Sequence, residues 1–312
     1  MQPPLDPVAP LKATANRWMP ATLKAGTNVK MNSPVIVEQK VNALLNNLTI
    51  RSFDSISDQI IGWANRSEKE RDGRTLIQVI RLVFERAKDE ENLSEMYARL
   101  CRKITDQISM KVQDDDILDN EGKPFAGGQL FRKYLLNRCQ EDFERGWAVK
   151  EAASAAAAAK ATKDAAAKES AAKGGDVGGV ESFSDEYHAV ARAKRRGLGL
   201  IRFIGELFKL QMLTERIMHE CIKKLLGNIE NPEEEDIESL CTLLTTVGSV
   251  IDTPQARAHM DVYFSRMKGL AKSEKVNSRM AFMLQDVIEL RSNGWKSRKG
   301  TARVSSNMPD ML

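Results

Sequence analysis

The sequence predicts an all-α fold of stacked amphipathic hairpins, and three observations carry that prediction. Apolar residues recur at i, i+3 and i+4 along most of the chain, the spacing of one buried helix face. No segment alternates apolar and polar residues in the manner of a half-buried strand. Helix-start signals, a capping side chain followed by proline or acids, return at short intervals. Composition agrees: 42% of residues are hydrophobic, 29% are charged and only 6% are aromatic. That mixture suits helices with one apolar and one charged face.

Residues 1–33 hold five of the ten prolines and read as an extended arm. Ser33-Pro34 opens the first helix, with Ser33 as N-cap and Pro34 at the first helical position; Val37, Val41, Leu44, Leu45 and Leu48 form its stripe. Ile56, Ile60, Ile61 and Ala64 form a second, and Leu76, Val79, Ile80, Val83, Phe84 and Ala87 a third. Leu93, Met96, Tyr97, Leu100, Ile104 and Ile108 form a fourth. An acidic, glycine-bearing stretch over 114–128 reads as a loop before the fifth stripe, Phe131, Leu135, Cys139 and Phe143. The sixth holds Leu198, Ile201, Ile204, Leu207 and Phe208.

Later starts are sharper. Thr214 precedes Ile217, Met218, Cys221, Leu225 and Leu226. Asn231-Pro232 is followed by Glu233, Glu234 and Glu235, acids favoured by the helix dipole, and then by Ile237, Leu240, Cys241, Leu244 and Val247. Thr253-Pro254 repeats the device, and the last stripe is Met280, Met283, Leu284, Val287 and Ile288. Short links make neighbouring helices antiparallel, and their spacing is that of HEAT-type repeats of about 40 residues each. The expected architecture is a HEAT-repeat solenoid of about five antiparallel hairpins, about ten helices, over 34–293. Residues 151–173 contain thirteen alanines, and Gly174, Gly175, Gly178 and Gly179 follow. The stretch 147–183 therefore reads as a mobile alanine/glycine-rich insertion, and 294–312 as a basic flexible tail.

Several function classes are set aside by residue content. There is no GxxxxGK[ST] phosphate loop. His219 and Cys221 are two apart and fall on different helix faces, a poor metal pair. Asp114, Asp115, Asp116, Asp119 and Glu121 lack the EF-hand spacing. No converging nucleophile, base and metal set is visible, so a non-enzyme with no cofactor is expected. The scattered cysteines Cys101, Cys139, Cys221 and Cys241 read as reduced buried thiols. No bilayer-spanning apolar run and no secretory leader is seen, so no membrane partner is expected. Net charge is only +4, but two basic clusters stand out. Lys194, Arg195 and Arg196 form one; Arg291, Lys296, Arg298, Lys299 and Arg303, with Trp295 among them, form the other. Cations around an aromatic suit weak single-stranded RNA binding; ordinary solvated helix ends are the alternative. Trp18 lies in the proline-bearing arm with no stripe to join, which favours docking on a partner.

Several runs closely resemble the middle domain of eukaryotic translation initiation factor 4G. They are Phe131–Phe143 (FRKYLLNRCQEDF), Ile201–Leu210 (IRFIGELFKL), Leu213-Thr214-Glu215 with Ile217-Met218-His219, Leu240–Gly248 (LCTLLTTVG), and Arg279 with Phe282–Val287 (FMLQDV) and Leu290-Arg291. The resemblance covers about residues 35–300, and Asn16-Arg17-Trp18 with Pro20 is similar to an element preceding this domain in fungal members. It implies a cytoplasmic translation-initiation scaffold of five HEAT repeats. Such a scaffold binds the DEAD-box helicase initiation factor 4A, orients its two RecA-like lobes and stimulates ATP turnover and unwinding. The resemblance implies helicase contacts at Arg17, Trp18, Gln140, Glu141, Asp142, Phe143 and Arg291; Phe143 equally continues the fifth core stripe. RNA contact is expected at Lys194, Arg195, Arg196, Lys296, Arg298 and Lys299. The alternative is a HEAT-type RNA-binding platform or a scaffold like the nuclear cap-binding one. No Tyr-x4-Leu-Φ cap-binding-protein motif is present. The chain therefore reads as the central piece of a longer factor whose other partners, further initiation factors, bind elsewhere.

Overall fold

The computed structural model describes residues 33–146, 180–228 and 232–296, the side chains of 180–191 and Lys194 excepted. Arg17 and Trp18, most of the 147–183 segment, Asn231, Arg298 and Lys299 lie outside the described residues. Ten α-helices appear among those described: α1 Pro34–Asn46, α2 Phe53–Ala64, α3 Arg74–Asp89, α4 Ser94–Gln107, α5 over 127–146, α6 Val180–Lys209, α7 Glu215–Leu225, α8 Glu234–Ile251, α9 Arg257–Ala271 and α10 Ser278–Ser292. Consecutive helices pack in pairs as α1–α2, α3–α4, α7–α8 and α9–α10. Helix α1 packs on α3, α3 on α6, α6 on α8 and α8 on α10, so one spine runs the length of the stack. Helix α7 packs on α8, and α9 on α10, the last two members of the spine.

Local chemistry sets several boundaries. The Ser33 hydroxyl accepts from the Ile36 amide at 3.4 Å with Pro34 next in line, as the cap reading required. Asn277 does the same for α10, accepting from the Met280 amide at 2.9 Å. After Thr253-Pro254 the chain turns once before α9 begins at Arg257, three residues later than a proline-first helix would start. Thr253 instead caps that turn, its Oγ1 accepting from the Ala256 amide at 3.2 Å. Helix α6 begins at Val180, so residues 180–183 belong to a helix and not to the insertion.

The predicted stripes are the core. One continuous cluster runs from Val37 to Val287 and takes in nearly every stripe residue named above; Leu93 is the chief exception, at 37% exposed. Phe84 of α3 meets Phe203 of α6 edge-on, with ring centres 5.1 Å apart. Gly199 of α6 lies so close to the Lys88 carbonyl that a β-carbon would come within 2.3 Å of it. The glycine is thus required by helix packing. All four cysteines are free and buried; burial pushes the Cys221 and Cys241 thiols up to about 12 and Cys139 well above its ordinary value. They are poor nucleophiles at neutral pH.

One expectation fails. The acidic stretch forms an antiparallel ribbon, β1 Gln113–Leu118 with β2 Pro124–Ala126, in place of a loop. Asp114 is buried and accepts a short hydrogen bond from the Tyr134 hydroxyl of α5. Asp119 accepts from the amides of Glu121 and Lys123 at 2.8 and 2.9 Å and closes the turn, with Gly122 at φ 77°. The acids serve turn and tertiary bonds, so polar residues stand where a strand pattern calls for apolar ones.

Candidate functional site

Helices α8 and α10 lie side by side and leave a shallow groove of about 280 Å³ between them. Thr245 comes from α8; Asp286, Glu289 and Leu290 come from α10, and Asn293 and Lys296 follow it. Helix α10 buries Met280, Leu284 and Val287, and that register turns Phe282 outward, 65% exposed. Two clamps hold the groove walls. Arg279 bonds Glu234 and, at 3.2 Å, Glu238 of α8. Arg291 donates to both Asp252 oxygens at 2.8 and 3.1 Å and reaches Asp261 at 2.8 Å.

This second clamp engages one cation of the C-terminal basic cluster within the fold. Arg291 is spent on two carboxylates, with its guanidinium 4.5 Å from the Phe264 ring centre. Trp295 is no free stacking platform either. Its Nε1 donates to Asp252 at 3.1 Å and its ring meets Phe264 edge-on. It lies over Gly248, where any β-carbon would be 2.0 Å from the ring. The chain reaches this position through left-handed backbone at Gly294 and Trp295, so the folded body continues past residue 293 into the expected tail. The Arg291 bond, helped by Trp295, holds the Asp252 carboxyl below its ordinary value against the opposing effect of burial. Lys296 alone of the cluster's described cations is exposed and lines the groove.

A second region lies on α5. Gln140 and Glu141 are exposed, but Asp142 is 7% exposed and faces inward. It pairs with Lys88 of α3 at 2.9 Å and with Arg138 at 3.3 Å, so its carboxylate is engaged within the fold. Phe143 is half-buried against the core, with the Lys224 ammonium 5.6 Å from its ring centre. In the other basic cluster Arg195 is exposed, whereas Arg196 bonds Glu85 and, at 3.1 Å, Asp89. Arg196 is therefore a link between α6 and α3, because two carboxylates already neutralise it.

Phe282, Asp286 and Glu289 are the surface residues that sequence reasoning did not single out. A signal existed: Phe282 is a large apolar residue that falls off the stripe of its own helix. Among the described residues no group of three His, Cys, Asp or Glu side chains could hold a metal ion, and no helix is long and apolar enough to cross a membrane.

Residues 38–294 match the MIF4G domain. The chain belongs to this family. MIF4G is the middle domain of translation initiation factor 4G, the family that the matching runs resembled. Over 300 residues it is 51% identical to eukaryotic translation initiation factor 4 gamma of Schizosaccharomyces pombe, covering 94% of this chain and 20% of that protein. It is 38% identical to the eukaryotic initiation factor 4F subunit p130 of Saccharomyces cerevisiae, covering 96% of this chain and 32% of that one. Human eukaryotic translation initiation factor 4 gamma 3 is 38% identical, with 93% and 17% covered. The chain thus spans a third or less of these relatives' lengths.

Proposed function

We propose that this chain is a non-catalytic scaffold in translation initiation that binds the DEAD-box helicase initiation factor 4A and holds its two RecA-like lobes in a productive orientation. The observation that carries the reading is the match to initiation factor 4 gamma proteins over nearly the whole chain. The form of the molecule supports it. Rigid helices present an exposed phenylalanine, Phe282, beside an open groove whose walls are clamped by Arg279 and Arg291. An aromatic on a pre-ordered surface is the usual anchor of a protein interface.

In this reading the α8–α10 groove receives one lobe, while Gln140, Glu141 and the half-buried Phe143 contribute a contact nearer the other end. Trp18 and Arg17 add a tether from the arm. A scaffold touching both lobes speeds the cycle only by binding the productive arrangement better than the open one, which is a shift of population and needs no catalytic residue. Weak RNA contact accompanies this role through exposed cations. Purified helicase with and without the chain tests the proposal: RNA-dependent ATP turnover should rise, and the two proteins should co-migrate on a sizing column. Unchanged turnover without co-migration would sink it. An RNA-binding platform is the second reading, favoured by the exposed Arg195 and Lys296; tight RNA binding with no helicase response would select it.

A further inference from the structure

We infer that a cleft between α7 and α9, where His219 and His259 meet, binds backbone phosphate of single-stranded RNA and grips it more tightly when the two facing histidines take up protons. This rests on the RNA contact in the proposed function and gives that contact a place. The cations expected to meet RNA from the sequence are partly consumed: Arg196 by Glu85 and Asp89, Arg291 by Asp252 and Asp261.

The cleft is built from two stripes. His219 of α7 and His259 of α9 face each other with ring centres 5.3 Å apart. Tyr263, one turn beyond His259, places its hydroxyl 3.2 Å from His219 Nδ1. Burial raises the Tyr263 phenol above its ordinary value; in the tautomer where it donates to Nδ1, His219 carries its proton on Nε2, a donor for an anion. Lys223, one turn along α7, and Arg266, one turn past Tyr263, extend the two stripes. Both are exposed, and neither forms an ion pair with a described residue.

The charges facing His219 are His259, Glu215 and Lys223. Glu215 is the one carboxylate among them, and the neighbouring Arg216 and Glu220 cancel each other at 3.1 Å. Burial, then His259, hold His219 below its ordinary value, so in the free cleft that ring resists taking up a proton. A phosphodiester supplies the missing counter-charge and several acceptor oxygens, and it stays ionised throughout this pH range. From His259 to Arg266 the helix advances about 10 Å, enough to meet a phosphate and its neighbour along a strand.

The test is fluorescence anisotropy of the full chain with a labelled polypyrimidine RNA at fixed salt, from pH 7.5 to 5.5. Affinity should rise about tenfold toward acid, because each imidazolium gained adds a charge beside the phosphate. His259→Gln, at an exposed position, should flatten that rise and leave melting unchanged; His219→Gln with His259→Gln should abolish it. Lys223→Glu and Arg266→Glu should each lower the salt slope by about 1. Free wild-type protein should lose stability over the same acid range. The folded His219 value is depressed, so its contribution is present above about pH 6.5 and is lost below. Tighter binding by a less stable protein separates the cleft from a general effect of acid. Absence of RNA binding at every pH would overturn both the cleft and the RNA contact. Binding that ignores pH, or an unaltered pH response in His259→Gln, would overturn the cleft alone. Equal, pH-dependent binding of polyglutamate would reassign the surface to acidic protein partners and overturn the RNA assignment.

Discussion

Two of the ion clusters that tie helices together among the described residues are built with opposite signs. At the α3–α5–α6 junction the most buried member is an anion, Asp142, served by Lys88, Arg138 and Arg145, while Glu85 collects Lys88, Arg138 and Arg196. At the α8–α9–α10 end the central member is a cation, Arg291, held by Asp252 and Asp261 and backed by Phe264 and Trp295. The first cluster is closed in and joins the helices flanking the alanine-rich stretch. The second stands at the rim of a groove. A buried charge costs most when its partners leave, so the closed cluster should act as a structural lock and the open one as a brace for a binding surface.

That contrast can be broken by substitution. Asp142→Ala takes from Lys88 and Arg138 the more buried of their two carboxylates, leaves Glu85 to serve three cations, and should cost about 3 kcal/mol in urea unfolding. Arg291→Ala should cost about 1–2 kcal/mol, since Asp261 is largely solvated and Asp252 keeps its bond from Trp295. Equal losses at the two places would erase the distinction.

Gly248→Ala sharpens the comparison at the open end. Its β-carbon occupies the Trp295 ring position, so the tryptophan must leave its seat. About 1–3 kcal/mol is expected, with a red shift of tryptophan emission. An unshifted spectrum would mean that Trp295 does not depend on this seat.

Acid probes both clusters at once. Burial pushes Glu85 up, but Lys88 and Arg196 outweigh it and hold the carboxyl below its ordinary value of 4.5; Arg291 holds Asp252 below 3.8. Lowered carboxylates contribute stability that is present above the unfolded values and lost as pH falls through the folded ones. Melting temperature should therefore be flat from these groups down to about pH 4.5 and fall below it. Arg291→Ala should remove the Asp252 part of that fall. Smallest in stability is Phe282→Ala, which should change unfolding by less than about 0.5 kcal/mol yet weaken helicase binding about tenfold. Unaltered binding would move the interface away from the groove.

The helices were legible because burial of one face repeats at a spacing that short windows reveal, from Val37 in α1 to Val287 in α10. The cap at Ser33 was legible because its partner amide is three residues away. The ribbon over 113–126 was not, since Asp114 earns its buried place from Tyr134, twenty residues along the chain. Asp142 looked like a surface acid beside Gln140 and Glu141, because Lys88 is 54 positions distant. Phe143, left between core and surface by its stripe, is half of each.

What the sequence determined by itself is the all-α class, the hairpin order, the family and the absence of a strand-rich core, since all of these follow from local periodicity or from runs of matching residues. Which charges remain free was decided only by the tertiary structure. Arg196 and Arg291 look the same in sequence as Lys223 and Arg266, but the first two meet carboxylates brought from 111 and 39 positions away. Coulomb attraction and desolvation act through space, so a residue's charge is visible in one dimension and its availability only in three.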